Sequence, residues 1–376
     1  MNDAQNMLDL KTIPRCPYFG QCGGCSFQDV QYPNAQLEMK KKHLRDLLGR
    51  EVEIVAAPNA YEYRNRMDFV CAFSKIGLRM RGRFSEVVDL EECHLIHHRF
   101  LPVFKELRSA VKELGIPDFN YLSHKGYLRY IVFRISAHTP DLMISFITAS
   151  EDEAILPLIE RARRHATSVN WLVNGGLADL SSGPVHRSFG SPVITEKIGR
   201  YAYQMGPNTF FQNNAYLAEK LFDCVKAEIK GPVLDLFCGA GAISIYIADA
   251  AEKVFGVEKE EESIRLAREA AALNGVTNVS FLSADAIVWL RENAANRDFK
   301  TIVVDPPRAG LGGKTVRKLM RLEAEKIIYV SCNPSSFRDD VGFMGEKYRL
   351  ESVKAFDMFP QTPHVELVGI FSRVSG

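Results

Sequence analysis

The stretch Leu234-Asp235-Leu236-Phe237-Cys238-Gly239-Ala240-Gly241-Ala242 decides the fold. Its apolar head reads as a buried strand over 233–237. Its glycines let the chain turn tightly and bring backbone close to a ligand, before a helix expected over 242–250. Outward from this turn, strands and helices alternate: strand 254–258, helix 262–273, strands 279–282 and 301–304, helix 314–322 and strand 326–330. That alternation is the pattern of a parallel sheet wrapped by crossover helices, so residues 204–376 are expected to form a Rossmann-like, doubly wound α/β domain. Ligands in such folds sit outside the carboxyl ends of the strands, which makes the residues just after each strand the ones to examine.

Those residues carry chemistry. Glu258 ends the second strand, where a carboxylate can accept both hydroxyls of a ribose. A dinucleotide fingerprint would place a third glycine where Ser244 stands, so the turn favours a nucleoside cofactor without pyrophosphate, such as S-adenosylmethionine. Asp285, after the third strand, suits an adenine amine, and Gly239 lets the backbone approach the cofactor. Asp305-Pro306-Pro307-Arg308 makes a rigid loop open to a planar substrate, and leaves the acceptor atom undecided because enzymes that methylate base amines carry similar loops. Cys332 follows a strand and precedes the capping run Asn333-Pro334-Ser335-Ser336, so a helix N-terminus is expected to lower its thiol pKa. A lone cysteine is more often inert. Here, however, the segment Phe356 to Glu366 brings a second loop to the same sheet edge and offers Glu366 as a base.

The preceding chain reads differently. A helix is expected over 37–48, alternating antiparallel strands from 61 to about 150, a helix over 151–165 and a strand over 170–173. This gives a cluster-binding segment and helix at 1–56 and a strand-rich α+β domain at 57–203. Cys16, Cys22 and Cys25, spaced by glycines, form a metal-ligand loop that Cys93 can close into a tetrad, and the spacing leaves zinc and an iron-sulfur cluster both open. Cys71, Cys224 and Cys238 have no partner spacing. Eight cysteines in 376 residues are too few for a disulfide scaffold, and the start shows no secretory pattern, so the expectation is a reduced, cytoplasmic protein without membrane spans. The balance of 47 basic and 46 acidic residues excludes a globally basic nucleic-acid binder. Six basic residues against one acid between Arg64 and Arg83 still allow a local basic surface.

From Cys16 onward the chain resembles the bacterial and archaeal RNA uracil-5-methyltransferases that carry an iron-sulfur cluster. The resemblance rests on the Cys16, Cys22, Cys25 and Cys93 set, Phe210-Phe211-Gln212-Asn213, the glycine turn, Asp305-Pro306-Pro307, Cys332 and Glu366. It implies that the four cysteines hold a [4Fe-4S] cluster, and that Gln212, Phe237, Glu258 and Asp305 line the cofactor and base pocket. It also implies that Cys332 is the nucleophile and Glu366 the base, with the strand-rich domain binding RNA. The sequence departs from some relatives at Ala242, where they have a polar residue, and in lacking a barrel ahead of the cysteines. From the second departure an enzyme acting on 23S ribosomal RNA is expected, with the transfer-RNA T-loop uridine as the alternative; separately, the protein is expected to be a monomer. An amine-directed methyltransferase and a non-catalytic redox-sensing RNA binder are the rivals from other classes.

Overall fold

A computed structural model describes residues 11–345 and 347–374. The glycine-turn strand, Val233–Leu236, lies in an eight-stranded sheet. The order is Glu53–Val55, Tyr348–Phe356, Glu366–Arg373, Lys326–Ser331, Thr301–Val304, Val233–Leu236, Val254–Glu258 and Val279–Ser283. Glu366–Arg373 runs antiparallel to both its neighbours, and the other pairings are parallel. From Val233–Leu236 the chain winds outward to Val279–Ser283, then returns to Thr301–Val304 on the opposite side. The crevice between these two directions is where a doubly wound sheet binds its ligand. All four residues of Val233–Leu236 are buried, as befits a strand covered on both faces.

The turn that follows holds Phe237, Gly239 and Gly241 at φ 64°, 53° and 76°. At Gly241 an added Cβ would lie 2.8 Å from Phe281 and 3.0 Å from Ala267, so here glycine serves close packing as well as the left-handed backbone. The helix it opens, Ala242–Tyr246, is shorter than expected and gives way to a 3-10 turn at Ala248–Ala250. Helices Glu261–Leu273, Gly312–Leu319 and Pro334–Met344 flank the sheet, together with two that the sequence reading did not place, Ala215–Lys226 and Ala286–Glu292.

The second sheet has seven strands, in the order Val185–Gly190, Ser168–Val173, Leu142–Thr148, Leu128–Ile135, Arg66–Ala72, Lys75–Met80 and Arg83–Asp89. The strands between 61 and 150 pair antiparallel, as expected, whereas the later strand Ser168–Val173 lies parallel to Leu142–Thr148. Helix Leu156–Ala162 makes the crossover that such a pair requires. Helix Leu101–Glu113, missed in the sequence, buries Val103, Phe104, Leu107, Ala110 and Val111 in the same core. Two segments pack across the expected boundaries. Helix Asn34–Leu48 and strand Glu53–Val55 supply Leu44 and Ile54 to the core of the eight-stranded sheet. The hairpin Ile194–Ile198 and Tyr201–Met205 packs with Leu217, Phe222 and Ile264. Residues 34–55 and 194–203 therefore belong by packing to the α/β layer rather than to the segments ending at 56 and 203. Among the described residues, no helix is long and apolar enough to cross a membrane.

Candidate active site

Three acidic or thiol groups converge at the carboxyl end of the sheet. Strand Lys326–Ser331 pairs with Glu366–Arg373 so that Ser331 lies opposite Leu367. One step further, Cys332 and Glu366 stand side by side. Asp305 leaves the adjacent strand Thr301–Val304. Glu366 is buried, and burial followed by the charge of Asp305 raises its carboxyl well above the usual range. Asp305 is itself pushed up to about 7 by burial and then by Asp235. The half-buried Cys332 thiol is pushed up to about 11, first by burial and then by Glu366 and Asp305, with Arg308 opposing. The expected lowering by a helix N-terminus is therefore overridden in the free protein, because desolvation and two acids outweigh the helix. The helix end is used to tie loops together. Asn333 accepts from the Ser335 N–H at 3.1 Å and donates to the Arg308 carbonyl at 2.9 Å. Ser336 donates to that same carbonyl at 3.2 Å, so the Asp305 to Arg308 loop is fastened beside Cys332.

Next to these groups lies a cavity of about 40 Å³ lined by Phe210, Gln212, Asp235, Phe237, Gly239 and Asp305. Gln212 is held from the second sheet, where Asn65 donates to its carbonyl at 2.7 Å. Asp235 is fully buried, and Ser244 donates to its Oδ2 at 2.5 Å. This explains why serine stands where a dinucleotide turn would carry glycine. The other carboxylate oxygen, Oδ1, is buried without a partner among the described residues, an orphaned acceptor beside the cavity. Glu258 does not line the cavity itself but is tied to its Gly239, accepting from the Gly239 N–H at 3.3 Å and from the Lys259 and Glu260 N–H groups at 2.8 and 3.1 Å. Asp285 is not among the lining residues. It is exposed and caps helix Ala286–Glu292 by accepting from the Ile287 and Val288 N–H groups. Asp235 was quoted in the sequence but given no role; an acid inside an otherwise apolar strand was the available signal.

Cys16, Cys22, Cys25 and Cys93 line one small cavity of about 20 Å³, although Cys93 is far away in the chain. The loop is pinned to the second sheet by Gly23 N–H to Arg79 O at 2.9 Å and Arg81 N–H to Gln21 O at 2.7 Å. Burial raises all four thiols, Cys25 to about 11 and Cys93 to about 12. Three thiols from one loop and a fourth from a distant part of the chain around one cavity are a donor set that suits a thiolate-bound metal centre, a zinc ion or an iron-sulfur cluster alike.

A groove of about 820 Å³ runs between the second sheet and the loop that leads to Glu366. It is lined by Arg64, Arg66, Arg79 and Arg81, and Phe210 belongs to both this groove and the small cavity beside Asp305. The basic stretch is thereby divided. Arg66 is bidentate to Asp68, and Arg79 pairs with Asp179 at 2.6 Å. Arg64 lies over the Phe359 ring at 5.9 Å, Arg81 is exposed, and Lys75 and Arg83 do not line the groove.

A family model described as tRNA (Uracil-5-)-methyltransferase matches residues 193–374. The tRNA (uracil(54)-C(5))-methyltransferase of Pyrococcus horikoshii is 38% identical over 360 residues, covering 96% of this chain and 86% of that protein. A relative from Caldanaerobacter subterraneus, described as an RNA methyltransferase, is 35% identical over 383 residues, with coverages of 95% and 84%. The crystal structure of Pyrococcus abyssi tRNA (uracil-54, C5)-methyltransferase in complex with S-adenosyl-L-homocysteine is similar at a TM-score of 0.80 and 34% identity, with 93% of this chain and 86% of that chain covered.

Proposed function

The chain belongs to the RNA uracil-5-methyltransferase family, and on that premise we propose that it methylates carbon 5 of the transfer-RNA uridine at position 54, with Cys332 as nucleophile and Glu366 as base. The observation that supports the mechanism is the strand pairing that sets Ser331 opposite Leu367 and so brings Cys332 next to Glu366, with Asp305, which acts on both, lining the cavity. The expected 23S ribosomal substrate is set aside. It rested on what precedes Cys16, which carries no information about the RNA, whereas the relatives matched over nearly the whole chain are named for transfer RNA.

S-adenosylmethionine, when bound, supplies an electrophilic methyl group. Gln212, Phe237 and Gly239 would hold it, Glu258 would take the ribose hydroxyls, and the orphaned Asp235 Oδ1 supplies an acceptor for a polar group of the cofactor. Carbon 5 of uracil is too weak a nucleophile to attack unaided, and Cys332 remedies this. Its sulfur, after losing its proton, bonds to carbon 6 and pushes the ring electrons onto carbon 5 and the carbonyl at carbon 4. Carbon 5 then takes the methyl group. Glu366 removes the hydrogen from carbon 5, the carbon 5–carbon 6 double bond re-forms, and the sulfur leaves with its electron pair. A carboxylate with a raised pKa is a stronger base near neutral pH, which suits this step. Asp305 orients the base. Because a stacked uracil hides both faces, the nucleotide must be extruded at a cost of a few kcal/mol, offset by contacts along the arginine-lined groove.

Cys16, Cys22, Cys25 and Cys93 would hold a [4Fe-4S] cluster in a structural role, since methyl transfer of this kind moves no net electrons. The test uses transfer RNA containing 5-fluorouridine. Fluorine at carbon 5 cannot leave as a proton, so the protein should remain covalently bound to the RNA, and Cys332→Ser should abolish the complex. An amine-directed methyltransferase would form no such complex.

A further inference from the structure

Glu366 is delivered to its strand by the loop from Asp357 to Val365, and that loop is gripped from the far N-terminal side of the chain. Lys40, on helix Asn34–Leu48, is only 3% exposed. Its ammonium donates to Asp357 Oδ1 at 2.5 Å, to the Phe359 carbonyl at 3.2 Å and to the His364 carbonyl at 3.1 Å. An ammonium has three N–H bonds, so its capacity is fully used. Its two carbonyl partners sit near opposite ends of the loop, which closes around it. One helical turn earlier, the buried Gln36 accepts from the Gln361 N–H at 3.0 Å and donates to Gln361 Oε1 at 2.9 Å. Gln361 holds a left-handed φ of 67°, and its carbonyl accepts from the Ser26 and Phe27 N–H groups, just past Cys25. Replacing a buried ion pair with apolar residues is often neutral or stabilising, so stability alone gives little reason to keep a lysine here.

We propose that Lys40 is a positioning residue for the base: through the loop it clasps, it fixes Glu366 within reach of the hydrogen on carbon 5. This rests on the reading that Glu366 removes that hydrogen. Proton transfer needs the acceptor within about 2.6–3.2 Å, and a displacement of about 1 Å can cost roughly a hundredfold in rate. The step is also the one that frees Cys332, so a misplaced base leaves methylated RNA still bonded to the enzyme.

The experiment compares the full-length protein with Lys40→Met, on transfer RNA containing ordinary uridine and labelled S-adenosylmethionine. Expected for Lys40→Met is a kcat lower by roughly a hundredfold, with KM for the cofactor within about twofold, and a denaturation-resistant, methyl-labelled protein–RNA complex absent from the wild type. Gln36→Ala, which removes the second grip without stranding a charge, should shift both readings the same way by about tenfold, and it decides the matter if Lys40→Met does not fold. Unchanged turnover, or turnover and covalent complex falling together in a folded variant, overturns the role of Lys40. Wild-type protein that forms no complex with 5-fluorouridine RNA removes the underlying mechanism, and this proposal with it.

Discussion

Cys332 shows how neighbours reverse what a residue's place in the sequence suggests. Its position before a helix predicts an activated thiolate, yet burial and the acids Glu366 and Asp305 push the thiol up to about 11. With a raised pKa the neutral thiol persists to higher pH, so at pH 8 roughly one molecule in a thousand carries the thiolate. Alkylation of Cys332 by iodoacetamide in the free protein should therefore rise about tenfold per pH unit between pH 7 and pH 9. Mass spectrometry of the peptide containing residue 332 checks this. A rate flat across that range would mean that the helix end wins. The same crowding keeps the thiol from reacting before RNA arrives.

At the scale of elements, the glycine turn and the helix Asn34–Leu48 differ in how openly the sequence declares them. Gly239 and Gly241 both take left-handed conformations, but only Gly241 meets neighbours within 4 Å. Gly239→Ala should cost about 1–2 kcal/mol of stability from the backbone alone. Gly241→Ala adds the collision with Phe281 and Ala267 and should cost about 3 kcal/mol or more, the order being read from urea unfolding. The turn was legible because glycine has few reasons to recur there. The helix was legible as a helix, but its function was hidden. Its buried stripe is Gln36, Lys40 and Leu44, and two polar residues at helical spacing look like a solvated face until their partners are known.

Across the whole molecule, the arginines between the sheets do different jobs despite their proximity in sequence. Arg81 is exposed on the groove, so Arg81→Glu should weaken RNA binding and lower the slope of log affinity against log salt by about 1 to 2. Arg64 has a buried Nε without a partner among the described residues, lies over Phe359 and acts electrostatically on Cys22, Cys25 and Cys93. With the proposed iron-sulfur cluster on those cysteines, Arg64→Glu should therefore reduce iron and sulfide content as well as RNA binding, whereas Arg81→Glu should leave that content unchanged. Elemental analysis beside filter binding across a salt series separates the two.

The alternation of strands and helices after residue 230, the turn at Gly239 and the grouping of Cys16, Cys22, Cys25 and Cys93 were readable from the chain alone, because local periodicity and residue type carry that information. The tertiary structure decided which side chains meet. It drew Asp285 away into a helix cap, made an orphaned acceptor of Asp235, folded residues 34–55 and 194–203 onto the α/β layer and closed the loop from Asp357 to Val365 around Lys40. Those outcomes depend on pairings between residues up to several hundred positions apart and on burial, which sets pKa and partner choice. Neither is written in the local pattern of a sequence.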